Sequence, residues 1–89
     1  MMSLTTWRKE ITSQMNENNE TWDSVEECTL SQEDLDIEFC NGFGSSNGKP
    51  FTVWTKNFVY FPGVYDGMEG VDSVPRNPCG VAKNHVGGE

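Results

Sequence analysis

From Glu17 to Glu38 the chain carries nine acids, Glu17, Glu20, Asp23, Glu26, Glu27, Glu33, Asp34, Asp36 and Glu38, and no Lys or Arg. At that density ion pairs within the segment cannot offset the repulsion, so the acids have to lie opposite whatever apolar stripe the segment buries. Residues 1–40 hold ten acids against Arg8 and Lys9, whereas residues 41–89 hold four acids and four bases, so the net charge of −8 belongs entirely to the N-terminal part.

The chain has 89 residues, enough for one small domain with a single core. Folding at this size hides only about 60–65% of the unfolded surface, which argues against a deep internal active site and puts function on the outside. Mean hydropathy is −0.59 and no apolar run approaches the roughly 18–20 residues that span a bilayer, so a membrane protein is excluded. Met1 to Ser13 lacks the basic-then-apolar pattern of a secretory leader, and the expected compartment is the cytoplasm. On that reading the glycosylation sequon Asn19-Glu20-Thr21 is incidental. A sequence pI near 4.4 repels phosphate backbones and favours a basic protein partner over direct nucleic-acid binding.

Leu4, Trp7, Ile11 and Met15 recur at helical steps, with Ser3 as N-cap and the polar stretch Asn16 to Asn19 as the end. A second short helix is expected over residues 21–28, burying Trp22 and Val25. A third is expected over 31–40, capped by Ser31, stapled by Leu30 and Leu35 and closed at Gly42. Residues 41–50 read as a Gly-rich loop, after which the period changes to two. Phe51 to Thr55 and Phe58 to Phe61 flank a Lys56-Asn57 hairpin turn, and Asp66-Gly67 repeats the device. Pro62-Gly63 is expected to bend or bulge the middle strand. A proline-restricted exit closes residues 51–79, and 80–89 form a loose tail. The expected fold class is α+β, a single domain over residues 1–89 with two or three N-terminal helices packed on one face of a three-stranded antiparallel β-meander.

Metal chemistry would need Cys28, Cys40, Cys79 and His85, but the gaps between the cysteines are wrong for paired zinc knuckles, so no metal or other cofactor is expected. The three cysteines read as free thiols of a reducing compartment, a Cys28–Cys40 bridge being open only outside it. Catalysis would rest on a Cys79–His85 pair without an orienting group, and no enzyme activity is expected. Two binding readings remain. Trp54, Tyr60 and Tyr65, with Arg76 as the nearby guanidinium, form a candidate small-molecule or nucleotide site without a cluster of basic residues. The nine acids form a candidate partner-binding face, in which Glu17, Glu20, Asp23 and Glu27 at helical steps approximate the phosphate rhythm of a nucleic-acid strand.

Phe51-Thr52-Val53-Trp54-Thr55, Val59-Tyr60-Phe61-Pro62, Tyr65-Asp66-Gly67 and Ser73-Val74-Pro75-Arg76-Asn77-Pro78 resemble a group of small acidic phage and prophage proteins. The likeness covers roughly the second half of the chain, with a weaker echo in the first half, and departs from the pattern at Gly63 and Gly70. It carries no catalytic residue across and implies a protein that binds and blocks a host protein, such as restriction or CRISPR-type defence machinery. The expected function is therefore non-enzymatic inhibition of a host protein with a basic surface. The alternatives are a small-molecule sponge and an acidic accessory domain. On the first reading, reversing Glu20, Glu27, Asp34 and Glu38 to Lys abolishes binding and spares the fold.

Overall fold

The computed structural model describes residues 4–40, 48–65, 68–78, 80 and 82–83. Trp7, Ile11 and Met15 form the buried stripe of α1 (Trp7–Glu17), the one long helix among the described residues. The stripe starts one member later than the spacing predicts. Leu4 belongs to a short strand, β1 (Leu4–Thr5), and is 56% exposed, because the chain is extended until Thr6 caps the helix by accepting from the Lys9 amide. Ser3 lies outside the described residues. The helix ends in the predicted polar stretch: Asn18 is its C-cap and Asn19 takes φ 58°, a left-handed conformation that Asn tolerates.

The expected second helix is absent. Trp22–Ser24 makes one turn of 3-10 helix, and Val25–Cys28 is then a strand, β2, that pairs antiparallel with β4 (Val53–Thr55). The β-branched and aromatic β4 supplies a ladder that outweighs the helix preference of the glutamates, and a register shift between Val25 and Glu27 leaves Glu26 and Glu27 both in solvent. The expected third helix is cut to α2 (Gln32–Leu35). Ser31 caps it as predicted, accepting from the Asp34 amide, but Asp36 and Glu38 would stand at the negative end of any longer helix. Phe39–Cys40 instead forms β3, paired with β1. Gly42 and loop residues 41–47 lie outside the described residues.

The Lys56-Asn57 hairpin joins β4 to β5 (Phe58–Tyr65), and β5 pairs antiparallel with β6 (Met68–Pro75). Tyr65 stands opposite Met68, as a two-residue connection requires, although Asp66 and Gly67 themselves are outside the described residues. The register of β5 and β6 runs unbroken through Pro62 and Gly63, so the strand carries no bulge there. Pro62 lies beyond the last residue of β5 paired with β4, where one side of β5 has no neighbouring strand and a missing N–H costs no ladder bond. The meander is therefore three strands of a four-stranded sheet, ordered β2-β4-β5-β6, and a separate two-stranded sheet joins β1 to β3. The architecture is still α+β, but among the described residues one long helix and one four-residue helix replace the expected two or three packed on a three-stranded meander.

One face of the large sheet packs with the helices around Trp7, Ile11, Met15, Leu30, Leu35, Phe51, Val53 and Tyr60. Each such side chain, fully buried, contributes about 1.5–3 kcal/mol. Trp7 is the hub. Its ring lies 4.7 Å from those of both Phe39 and Phe51, and its indole N–H donates to the Lys49 carbonyl at 3.0 Å. Gly48 is required here, since a Cβ on it would sit 2.5 Å from the Trp7 ring.

Candidate functional site

The nine acids of the run do not form one class. Glu20 is withdrawn into the protein at 7% exposure, contrary to the expectation that it faces water. Its carboxylate accepts from the Tyr60 hydroxyl at 2.5 Å and from the Thr55 hydroxyl at 2.7 Å. The Tyr60 hydroxyl in turn accepts from Asn18, whose amide also donates to Ser73. These hydrogen bonds tie the end of α1 to β4, β5 and β6. Burial first, and the bond to Glu20 second, hold the Tyr60 proton on to well above the usual phenol range.

Three further acids of the run meet cations that come from outside it. Asp36 accepts from Arg8 at 2.6 Å, Asp34 from Lys49 at 3.1 Å, and Glu26 pairs with Arg76. Arg8 also lies over the Trp22 ring, 5.6 Å from its centroid, so it links α1, the 3-10 turn and α2. The hydrogen bond from Lys49 lowers the Asp34 pKa, and that from Arg8 lowers the Asp36 pKa. The sequence placed these partners 15 to 50 residues away from their acids, which is why the run looked uncompensated.

Glu17, Asp23, Glu27, Glu33 and Glu38 remain, all exposed and none in an ion pair among the described residues. They stand at the end of α1, in the 3-10 turn, on β2, on α2 and before β3. A phosphate-like ladder on adjoining helices is thus not the arrangement: α1 stops at Glu17, and Glu20 points inward. What the fold does present is a negative surface with few cations. Of the six Lys and Arg residues, Arg8, Lys49, Arg76 and Lys83 are held in ion pairs, and Lys9 and Lys56 are in none among the described residues.

The four residues of the alternative ligand site are not brought together. Tyr60 is fully buried on the inner face, whereas Trp54, between the buried Val53 and Thr55, points to the outer one. Arg76 donates to Glu26 and, at 2.8 Å, to the Thr55 carbonyl. The side chain of Tyr65 lies outside the described residues. Trp54 and Arg76 do share a shallow open groove, but its other walls are Glu26, which already engages Arg76, and Glu27, which repels a phosphate.

The outer face holds an arrangement that sequence reasoning missed. In register across all four strands, Glu27 stands opposite Trp54, Trp54 opposite Val59, and Val59 opposite Val74. Trp54, Val59 and Val74 are half-buried and do not belong to the packed core. The period-two alternation was the available signal, but the fourth strand was hidden in a segment read as helix.

Cys28 and Cys40 are half-buried, lie in different sheets and are not joined to each other, while Cys79 and His85 lie outside the described residues. Among the described residues no group of three or more His, Cys, Asp or Glu side chains is placed to hold a metal ion, and no helix is long and apolar enough to cross a membrane. Comparison with protein-family models, curated proteins and solved structures gives no match.

Proposed function

We propose that this protein acts without catalysis, by docking an anionic surface on a basic surface of another protein and excluding that protein's own ligand. The observation that supports this reading is the unequal fate of the charges. Most of the cations are held in internal ion pairs, while Glu17, Asp23, Glu27, Glu33 and Glu38 stay in solvent and have none among the described residues. An ordinary solubilising surface mixes both signs, so a surface this one-sided steers and holds a cationic partner. The resemblance to phage and prophage proteins makes the natural target a host nucleic-acid-binding protein of the restriction or CRISPR type, in the cytoplasm of the host cell.

Competition of this kind depends on screened charges, so it weakens steeply as the Debye length falls from about 10 Å at 0.1 M salt to about 3 Å at 1 M. The test is a bacterial-lysate pull-down eluted with a salt gradient, followed by nucleic-acid competition against the recovered protein. The account expects one stoichiometric basic partner, released by moderate salt and displaced by DNA or RNA. A partner that stays bound at high salt and ignores nucleic acid contradicts it.

A further inference from the structure

We infer that the outer row of the sheet is the docking site for an extended, arginine-bearing segment of the basic partner, its guanidinium stacked on Trp54 and held by Glu27. This inference rests on the anionic-surface reading and gives it a specific anchor. Three observations carry it.

The first is the row itself. Glu27, Trp54, Val59 and Val74 are cross-strand neighbours, so a carboxylate, an indole and two β-branched side chains form one continuous strip. Helix α1 packs against the inner face, where Gln14 and Asn18 reach Ser73, and Trp54, Val59 and Val74 on the other face keep partial exposure. The second is the way the chain's own arginine is held in the wall of the adjoining groove. The chain's own Arg76 guanidinium sits among Glu26, Glu27 and Trp54 and takes Glu26 and the Thr55 carbonyl as its acceptors. Beside the indole, a carboxylate and a carbonyl thus already hold one planar, forked cation. Arg76 does not pair with Glu27, which stays exposed beside the indole.

The third is charge complementarity. Glu27, the carboxylate of the groove that Arg76 does not engage, disfavours phosphates and carboxylates, and a net charge of −8 on each molecule opposes a second copy of this chain on the same face. A guanidinium between an indole face and a carboxylate gains a cation–π contact and a charge-assisted hydrogen bond together, and its flat fork suits that position better than an ammonium. Val59 and Val74 then receive a neighbouring apolar side chain of the same extended segment.

The experiment titrates the isotope-labelled full chain at low ionic strength with the blocked peptide Val-Arg-Val, and with the same peptide carrying citrulline in place of arginine. The indole N–H signals report the site, because those of Trp7 and Trp22 are engaged by the Lys49 carbonyl and the Thr12 hydroxyl, whereas that of Trp54 lies at the proposed site. The expected result is movement of the Trp54 indole and of the Glu27, Val59 and Val74 amides, with Trp7 and Trp22 unmoved. The citrulline peptide and the Trp54→Ala variant should each bind about tenfold more weakly, the size of a partly desolvated cation–π contact. Glu27→Gln, which keeps the side chain's shape, should weaken binding about threefold to tenfold, and it carries the test if Trp54→Ala disturbs the sheet. Shifts confined to Glu17, Glu33 and Glu38 would overturn the site and leave the anionic-surface reading standing. Equal binding of the two peptides, no shift with millimolar peptide, or a dimer formed through this face without peptide would each overturn it as well.

Discussion

The two faces of the sheet use the same chemistry and reach opposite outcomes. On the inner face an aromatic residue and a carboxylate, Tyr60 and Glu20, are sealed under the end of α1 with Thr55, Asn18 and Ser73 supplying hydrogen bonds. On the outer face an aromatic residue and a carboxylate, Trp54 and Glu27, stand opposite each other and keep contact with water. The inner pair has its polar atoms satisfied and contributes to stability, while the outer pair leaves its capacity for partners open. Residue type alone therefore does not say which acid is structural; its neighbours across the sheet do.

The contrast breaks most visibly by charge reversal. Glu20→Lys places an ammonium where only hydroxyls designed to donate await it, and should cost more than about 3 kcal/mol, as removal of one member of a buried charged network does. For a domain of this size that is a large fraction of the total, and a urea melt will show a much lower midpoint. Glu27→Lys on the open face should stay within about 0.5 kcal/mol of the parent in the same melt. The reversal of Glu20, Glu27, Asp34 and Glu38 together is consequently a folding lesion and not a clean test of binding.

Gly48→Ala sharpens the comparison on the inner side. The added methyl collides with the ring of Trp7 and should cost about 1–3 kcal/mol, the usual penalty for overpacking, with a loss of near-ultraviolet dichroism from that ring. A methyl added at Gly70, by contrast, meets open space, and Gly70→Ala should leave that signal unchanged.

Tyr60 gives the inner face a pH signature. Its folded pKa is raised, so the stability linked to its neutral form is complete below about pH 10, the unfolded value, and is lost as the pH climbs beyond it. Tyr60→Phe should remove this alkaline limb while costing about 1–2 kcal/mol at neutral pH for the hydrogen bond to Glu20. Equilibrium melts from neutral to alkaline pH will separate the two effects.

The smallest effect belongs to the exposed ion pairs. Asp34 and Asp36 have folded pKa values below their unfolded ones, so their contribution is present at neutral pH and fades as the pH falls through the carboxylate range. Asp36→Asn should flatten the acid limb of the stability curve slightly and leave the neutral plateau almost unmoved, as expected for a solvent-screened pair.

Local signals made part of this fold legible. The Trp7, Ile11 and Met15 stripe, the Ser31 cap and the Lys56-Asn57 hairpin all depend on residues close in sequence, and each is where its pattern predicts. The errors share one cause, which is pairing with distant segments. Val25–Cys28 becomes a strand because β4 offers a ladder, and Phe39–Cys40 leaves the helix because β1 does. The acidic run was legible as a run, but not as a surface. Arg8, Lys49 and Arg76 neutralise Asp36, Asp34 and Glu26 from other parts of the chain, and Thr55 and Tyr60 draw Glu20 inward. No spacing rule in the segment itself could reveal that division.

The most direct measurement compares the parent with a variant reversed only at the solvent-facing acids, Glu17→Lys, Asp23→Lys, Glu27→Lys, Glu33→Lys and Glu38→Lys, for capture of the salt-released partner and for thermal unfolding. The account predicts a cooperative unfolding transition close to that of the parent, together with loss of the partner. Capture of the same partner by the folded, reversed protein would contradict it.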